Sequence, residues 1–268
     1  MIEPIVDRVL RSTRYRDVDR AMLDRLAAEE LPKSRNADDA VKRVKRRLHQ
    51  AVGAYRGAGA ADPLATVRAT WAGDREDAAF RAACLAVMGG HASTNERLLY
   101  IDGFFAPIWE LTGGAPRTLL DLGCGLGPLA LPWMALSPDA TYHACEVDRR
   151  SLEVVDAFLD LVGQPHAVHA RDLVANGGPP IAADVVLLLK LVPLLDRQDP
   201  SAAARLLGSL DARHAVITFP TSSLGGRRRG MEATYRRLLD ELAADLVIDN
   251  IREASVPNEL VFVVTLDG

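Results

Sequence analysis

The chain has 268 residues, 49% of them hydrophobic, with 32 Lys and Arg set against 36 Asp and Glu for a formal net charge of −4. That length fits one catalytic domain of ordinary size plus an extension. Three cysteines (Cys84, Cys124, Cys145) without C-x-x-C spacing exclude a disulfide framework and a zinc site, and a reducing cytoplasm is expected. The N-terminal MIEPIVDRVLRSTRYR lacks the apolar core of a signal peptide, and the longest apolar run, DVVLLLKLVPLL, is broken by Lys190 and Pro193. Neither secretion nor membrane insertion is expected.

From residue 1 to 93 the pattern is helical. In DDAVKRVKRRLHQAVGAY the apolar Val41, Val44, Leu48 and Val52 form one helical stripe, and Asp38 and Asp39 sit where the helix dipole favours carboxylates. Lys42, Arg43, Lys45, Arg46 and Arg47 occupy the other faces, preceded by Lys33 and Arg35. The segment RGAGAADP (56–63) reads as a break before further helices in ATVRATW and DAAFRAACLAVM.

From about residue 116 apolar strands alternate with helices, the signature of a parallel α/β sheet. The expected strands are TLLDLG, TYHACEV, HAVHAR, ADVVLLLK and AVITFP, then LVIDNI and LVFVVTL. A short polar link containing Pro257 and Asn258 separates the last two, too short for a crossover, so the sheet is expected to close with an antiparallel hairpin at its edge. This predicts a class I S-adenosylmethionine-dependent methyltransferase fold: Rossmann-like α/β, seven strands, the last antiparallel. An N-terminal helical domain is expected over residues 1–93 and the catalytic domain over 94–268.

The first strand runs into DLGCGLGPLALPW (121–133), where Gly123, Gly125 and Gly127 are spaced G-x-G-x-G after Asp121. A dinucleotide turn wants a third Gly or Ala where this chain has Pro128, a residue suited to the start of a helix. G-x-G-x-G after an acid is the pattern that holds S-adenosylmethionine, a ligand without phosphate. Glu146, at the end of the second strand in CEVD, lies about 20 residues beyond the turn, the distance at which a carboxylate takes a ribose diol. At the end of the third strand, in ARDL, Asp172 is placed to accept from an adenine amino group and Leu173 to pack the ring.

Absences narrow the acceptor. No Asn/Asp-Pro-Pro-aromatic loop follows the fourth strand, and Cys124 and Cys145 belong to the turn and a strand, so neither exocyclic amino nor pyrimidine carbon-5 methylation is supported. A free lone pair such as guanine N7 needs neither a base nor a covalent intermediate, only positioning. A second basic cluster, Arg227, Arg228 and Arg229 in SSLGGRRRGM, completes with Lys42 to Arg47 a candidate RNA-binding set on a chain of acidic total charge.

HASTNERL, DLGCGLGPLALPWM, ACEVD, ARDL, VVLLLKLVPLLDRQ, VITFPTSSLGGRRRGM and PNELVFVV resemble the aminoglycoside-resistance 16S ribosomal RNA (guanine-N7) methyltransferases over nearly the whole chain. The resemblance implies methylation of a decoding-site guanine in the 30S subunit, with no membrane or DNA partner and no metal. It also implies that Arg97 binds the methionine carboxylate, that Lys190 lies near the reacting groups, and that Glu259 stands behind the target base. Three positions depart from the family pattern: Glu146 replaces an aspartate, Gly127 an asparagine, and Asn95 the arginine of S-T-R-E-R-L. A monomer is the simpler expectation for a protein that docks on a ribosomal subunit. The catalytic core alone also permits a small-molecule methyltransferase or a non-catalytic RNA-binding protein, and least readily a nicotinamide oxidoreductase.

Overall fold

The computed structural model describes residues 2–53, 62–221, 231–248 and 250–266. Three helices open the chain: α1 (Glu3–Leu10), α2 (Arg20–Glu30) and α3 (Ala37–Leu48). Local chemistry sets their starts, because the Asp19 side chain accepts from the Ala21 N–H and Asn36 accepts from that of Asp39. Val9, Leu23, Leu26, Val44 and Leu48 bury the facing stripes in a cluster of their own.

Two further helices, α4 (Ala65–Thr70) and α5 (Ala78–Met88), fall where the sequence pattern placed them. Their buried side chains, among them Val67, Phe80 and Met88, belong to the same apolar cluster as Leu119, Tyr142 and Val185 of the sheet. Although they precede the expected boundary at 93, α4 and α5 thus share the apolar core of the sheet.

Seven strands form one sheet in the order β3-β2-β1-β4-β5-β7-β6. They span Thr118–Leu122 (β1), Thr141–Glu146 (β2), His166–Ala170 (β3), Ala183–Leu189 (β4), Ala212–Pro220 (β5), Ile251–Ala254 (β6) and Glu259–Thr265 (β7). The pairs among β1 to β5 are parallel, whereas β7 runs antiparallel to both β5 and β6. This is the sheet of the class I methyltransferases, with apolar cores on both faces.

Two details differ from the sequence expectation. The sixth strand lies beyond most of LVIDNI, because the helix Met231–Leu246 continues into that segment and buries Leu239 and Leu242 against the sheet. The antiparallel hairpin closes the sheet at its edge as expected, with β7 between β5 and β6 and β6 outermost. After the glycine turn, residues Gly127–Trp133 form 3₁₀ turns with Pro128 at the start and Pro132 inside. Pro128 is compatible with a helix start, but Pro132 lacks the N–H that an α-helical ladder needs at that point.

The N-terminal helices dock on the end of β2. The Asp19 N–H donates to the Val147 carbonyl (2.8 Å), and the Arg149 N–H donates to the Asp17 carbonyl (2.9 Å). Among the described residues no helix is long and apolar enough to cross a membrane, and no group of three His, Cys, Asp or Glu is placed to hold a metal.

Candidate active site

A cleft opens at the carboxyl ends of the parallel strands, where open α/β sheets bind their ligands. Gly123, Glu146, Asp172, Leu173 and Lys190 line it, so the ends of β1 to β4 all contribute. Met22 of α2 and Val52, just beyond α3, close it from the N-terminal side.

The glycine turn is bound tightly to β2. The N–H groups of Gly123 and Cys124 both donate to the Cys145 carbonyl (2.8 and 3.1 Å), and that of Gly125 donates to Glu146 Oε2 (2.9 Å). Three successive amides are thus spent inside the protein and cannot cradle a pyrophosphate, which argues against a dinucleotide. The glycines themselves are required first by backbone conformation, and a side chain would also meet close neighbours. At Gly123, with φ of +65°, a Cβ would lie 2.9 Å from Leu191, and at Gly125, with φ of +51°, 3.0 Å from the His91 ring. Such a turn admits a ligand against bare backbone, as a phosphate-free ribose or amino-acid moiety requires.

Glu146 points back at this turn. Its Oε1 accepts from the Val147 and Asp148 N–H groups (2.7 and 3.2 Å) while Oε2 holds Gly125. Burial raises its pKa despite those three hydrogen bonds. Glu146 is therefore both cleft wall and anchor of the turn. Asp172 caps the helix Leu173–Asn176 and is gripped by Arg25 of α2 through Nε to Oδ2 (2.6 Å) and Nη2 to Oδ1 (3.3 Å). Asp121 is buried beneath the turn and accepts from the Tyr142 hydroxyl (2.7 Å); burial pushes its pKa up to about 7.

Behind Lys190 lies a buried ionic cluster. Arg97 Nε and Nη2 fork onto Glu259 (3.1 and 2.8 Å), and the Tyr100 hydroxyl donates to the same carboxylate (3.2 Å). Lys190 Nζ lies 2.6 Å from Glu96 and 3.2 Å from Glu259. The side chains of Glu259, Arg97 and Lys190 are 0%, 5% and 10% exposed. Burial acts to raise the Glu259 pKa, and the charges of Arg97 and Lys190 outweigh it, so the net shift is downward. Burial and the Glu259 charge raise that of Tyr100. Two cations and two carboxylates leave the cluster neutral.

Lys190 has a left-handed backbone, φ +58°, held by hydrogen bonds from its N–H to the carbonyl and hydroxyl oxygens of Thr218. A non-glycine residue there costs on the order of 1 kcal/mol or more. That conformation turns the lysine inward between two acids, not outward to solvent.

The profile of the family described as "Ribosomal RNA methyltransferase (FmrO)" matches residues 11–263. The chain belongs to this family. Among relatives of this FmrO-family chain, a 16S rRNA (guanine(1405)-N(7))-methyltransferase of Frankia casuarinae is 38% identical over 98% of the chain and 93% of its own length. The enzyme of the same name from Micromonospora echinospora is 36% identical, covering 98% and 96%. The crystal structure of the 16S rRNA methyltransferase RmtF in complex with S-adenosyl-L-homocysteine superposes with a TM-score of 0.81 at 33% identity, covering 98% of this chain and 97% of that one.

Of the candidate site residues, the fold brings Gly123, Glu146, Asp172, Leu173 and Lys190 to one cleft and sets Asp121, Arg97 and Glu259 behind it. On α3 the basic residues separate: Lys42 and Arg46 are exposed and Lys45 half-buried, whereas Arg43 and Arg47 turn onto Glu30 of α2 (2.8 and 3.0 Å). Arg227, Arg228 and Arg229 lie outside the described residues. Sequence reading missed Arg25, Glu96 and Tyr100. Glu96 adjoins Arg97 in HASTNERL and was within reach of a motif argument, but nothing local marks Arg25.

Proposed function

We propose that this chain transfers a methyl group from S-adenosylmethionine to N7 of guanine 1405 of 16S rRNA, the base named for its relatives, in the cytoplasm and with the 30S subunit as substrate. The observation that carries the reading is the cleft itself: acids at the ends of β2 and β3, and a glycine turn whose amides are already bonded. Those groups suit an adenosine whose linkage carries no phosphate. Glu146 would accept from the ribose hydroxyls, Asp172 from the adenine amino group beside Leu173, and Arg97 would share its guanidinium with the methionine carboxylate.

When bound, S-adenosylmethionine supplies a methyl electrophile whose positive charge ends on the purine, so transfer leaves the net charge of the site unchanged. The neutral cluster of Arg97, Lys190, Glu96 and Glu259 fits that requirement, since no charge has to be created or discharged. Lys190, at the mouth of β4, and Glu259 behind it would hold the guanine edge in line. A purine N7 lone pair needs no proton removed, which agrees with a site whose charged groups are all paired.

Docking would use the exposed Lys42 and Arg46 and the half-buried Lys45 of α3, together with Arg227 to Arg229, with one copy of the protein per subunit. Replacing Lys42, Lys45 and Arg46 with glutamine is expected to weaken 30S binding and to flatten the slope of log affinity against log salt by about 0.7 to 0.9 for each phosphate no longer neutralised. Filter binding across a salt series reads this, and an unchanged slope places the RNA face elsewhere. Glu146→Ala is expected to weaken S-adenosylmethionine binding by roughly 1 to 3 kcal/mol through loss of a charged acceptor. Calorimetry on the variant checks it, and wild-type affinity would assign the ribose hydroxyls to another group.

The decisive test is incubation with radiolabelled S-adenosylmethionine and either 30S subunits or naked 16S RNA, followed by mapping of cleavage at 7-methylguanine. Label on 30S subunits at guanine 1405 alone is the expected result. Cofactor binding without label on either RNA would redirect the search to a small-molecule acceptor.

A further inference from the structure

We infer that Arg25, a residue of the N-terminal helices, is a positioning residue for the cofactor: it holds the Asp172 carboxylate in the plane that meets the adenine amino group. The inference rests on the reading of Asp172 proposed above. Arg25 itself does not line the cleft; it stands behind Asp172, 13% exposed against 4% for the acid. Its fork takes both carboxylate oxygens, while the Val174 N–H donates to Oδ1 (3.0 Å). Oδ1 thus accepts two hydrogen bonds and Oδ2 one, which leaves Oδ2 with a lone pair in a plane that can no longer rotate.

Arg25 is in turn fixed by two further acceptors. Its Nη2 donates to Gln198 (2.9 Å), another cleft residue, and Nη1 donates to Glu29 one turn along α2 (3.0 Å). Glu29 also pairs with Arg47 of the basic helix (3.2 Å). The adenine end of the cleft is therefore completed by the helical part of the chain, through a planar fork that lysine cannot reproduce. A catalytic domain without these helices would keep Asp172 and lose its orientation.

The test compares two ligands on the full-length protein by calorimetry: S-adenosylhomocysteine, and S-inosylhomocysteine, which carries an oxygen in place of the amino group. Wild type is expected to prefer the adenosyl ligand by about tenfold or more, the value of one charged hydrogen bond. Arg25→Ala should reduce that preference several-fold, with Arg25→Lys between the two. Equal weakening of both ligands, with the preference intact, would make Arg25 a merely structural residue and overturn the inference. Unchanged binding of both would overturn it as well. A wild type that does not distinguish the ligands would remove Asp172 from the adenine amino group, a failure of the site reading and recognisable as such. If Arg25→Ala does not fold, Arg25→Lys carries the same comparison, and an undiminished preference in that variant counts against the fork.

Discussion

Glu259→Ala is expected to destabilise the protein by about 3 to 5 kcal/mol and to abolish methyl transfer. The Glu259 carboxylate is fully buried and serves Arg97, Lys190 and Tyr100 at once, so its removal strands Arg97 away from water and leaves Lys190 with Glu96 alone. Replacing a whole buried pair by apolar groups can be neutral; deleting one partner is not, because the desolvation already incurred by the other has no compensation. Denaturant unfolding of the free protein measures the loss. Glu259→Gln keeps the shape and an acceptor for Tyr100 but not the charge, and should fall between wild type and alanine. A loss below about 1 kcal/mol for the alanine variant would mean that the cluster is hydrated in solution.

The pH dependence of this acid has a definite sign. The pKa of Glu259 is lowered in the folded protein, so its contribution is present above the ordinary carboxylate range and disappears as pH falls through the depressed folded value. Acid should therefore weaken the wild type through Glu259, and the Glu259→Gln variant should lose that part of the acid sensitivity.

Asp121 behaves in the opposite sense. Its pKa rises from 3.8 to about 7, because burial dominates over the Tyr142 hydrogen bond and the Arg97 charge. A group with a raised folded pKa stabilises fully below its unfolded value, and that contribution is lost as pH rises through the folded one. Over the window from about pH 4 to about pH 7 the loss is on the order of 4 kcal/mol for a carboxylate buried to this degree. Asp121→Asn removes the ionisation and keeps an acceptor for Tyr142. The stability difference, variant minus wild type, is expected to grow steadily across that window, as read by urea unfolding at a series of pH values. A flat difference would show that Asp121 does not titrate there.

Much of the fold was legible. Six of the seven strands begin and end within a few residues of their apolar runs, since a strand covered on both faces must be apolar along its length. The sixth was misplaced because LVIDNI has strand-forming residues, yet the amphipathic helix before it runs on to Leu246, burying Leu242 and half-burying Leu246 against the sheet. Tertiary burial outweighed local propensity there. The boundary at 93 was drawn from a change in periodicity, whereas the helices α4 and α5 bury their apolar faces in the core of the sheet domain.

The sequence by itself determined the elements that rest on local chemistry. The glycine turn is one, because φ near +60° and the absence of a Cβ are properties of single residues. The placement of Glu146 and Asp172 at the carboxyl ends of successive strands is another, because strand length and crossover length set it. Only the tertiary structure decided the partners of the charged groups. Arg97 meets Glu259 across 162 residues and Arg25 meets Asp172 across 147, while Arg43 and Arg47, read as RNA ligands from their helix, are drawn onto Glu30. An ion pair in the interior forms where packing excludes water and brings two side chains within reach, and no spacing along the chain encodes that.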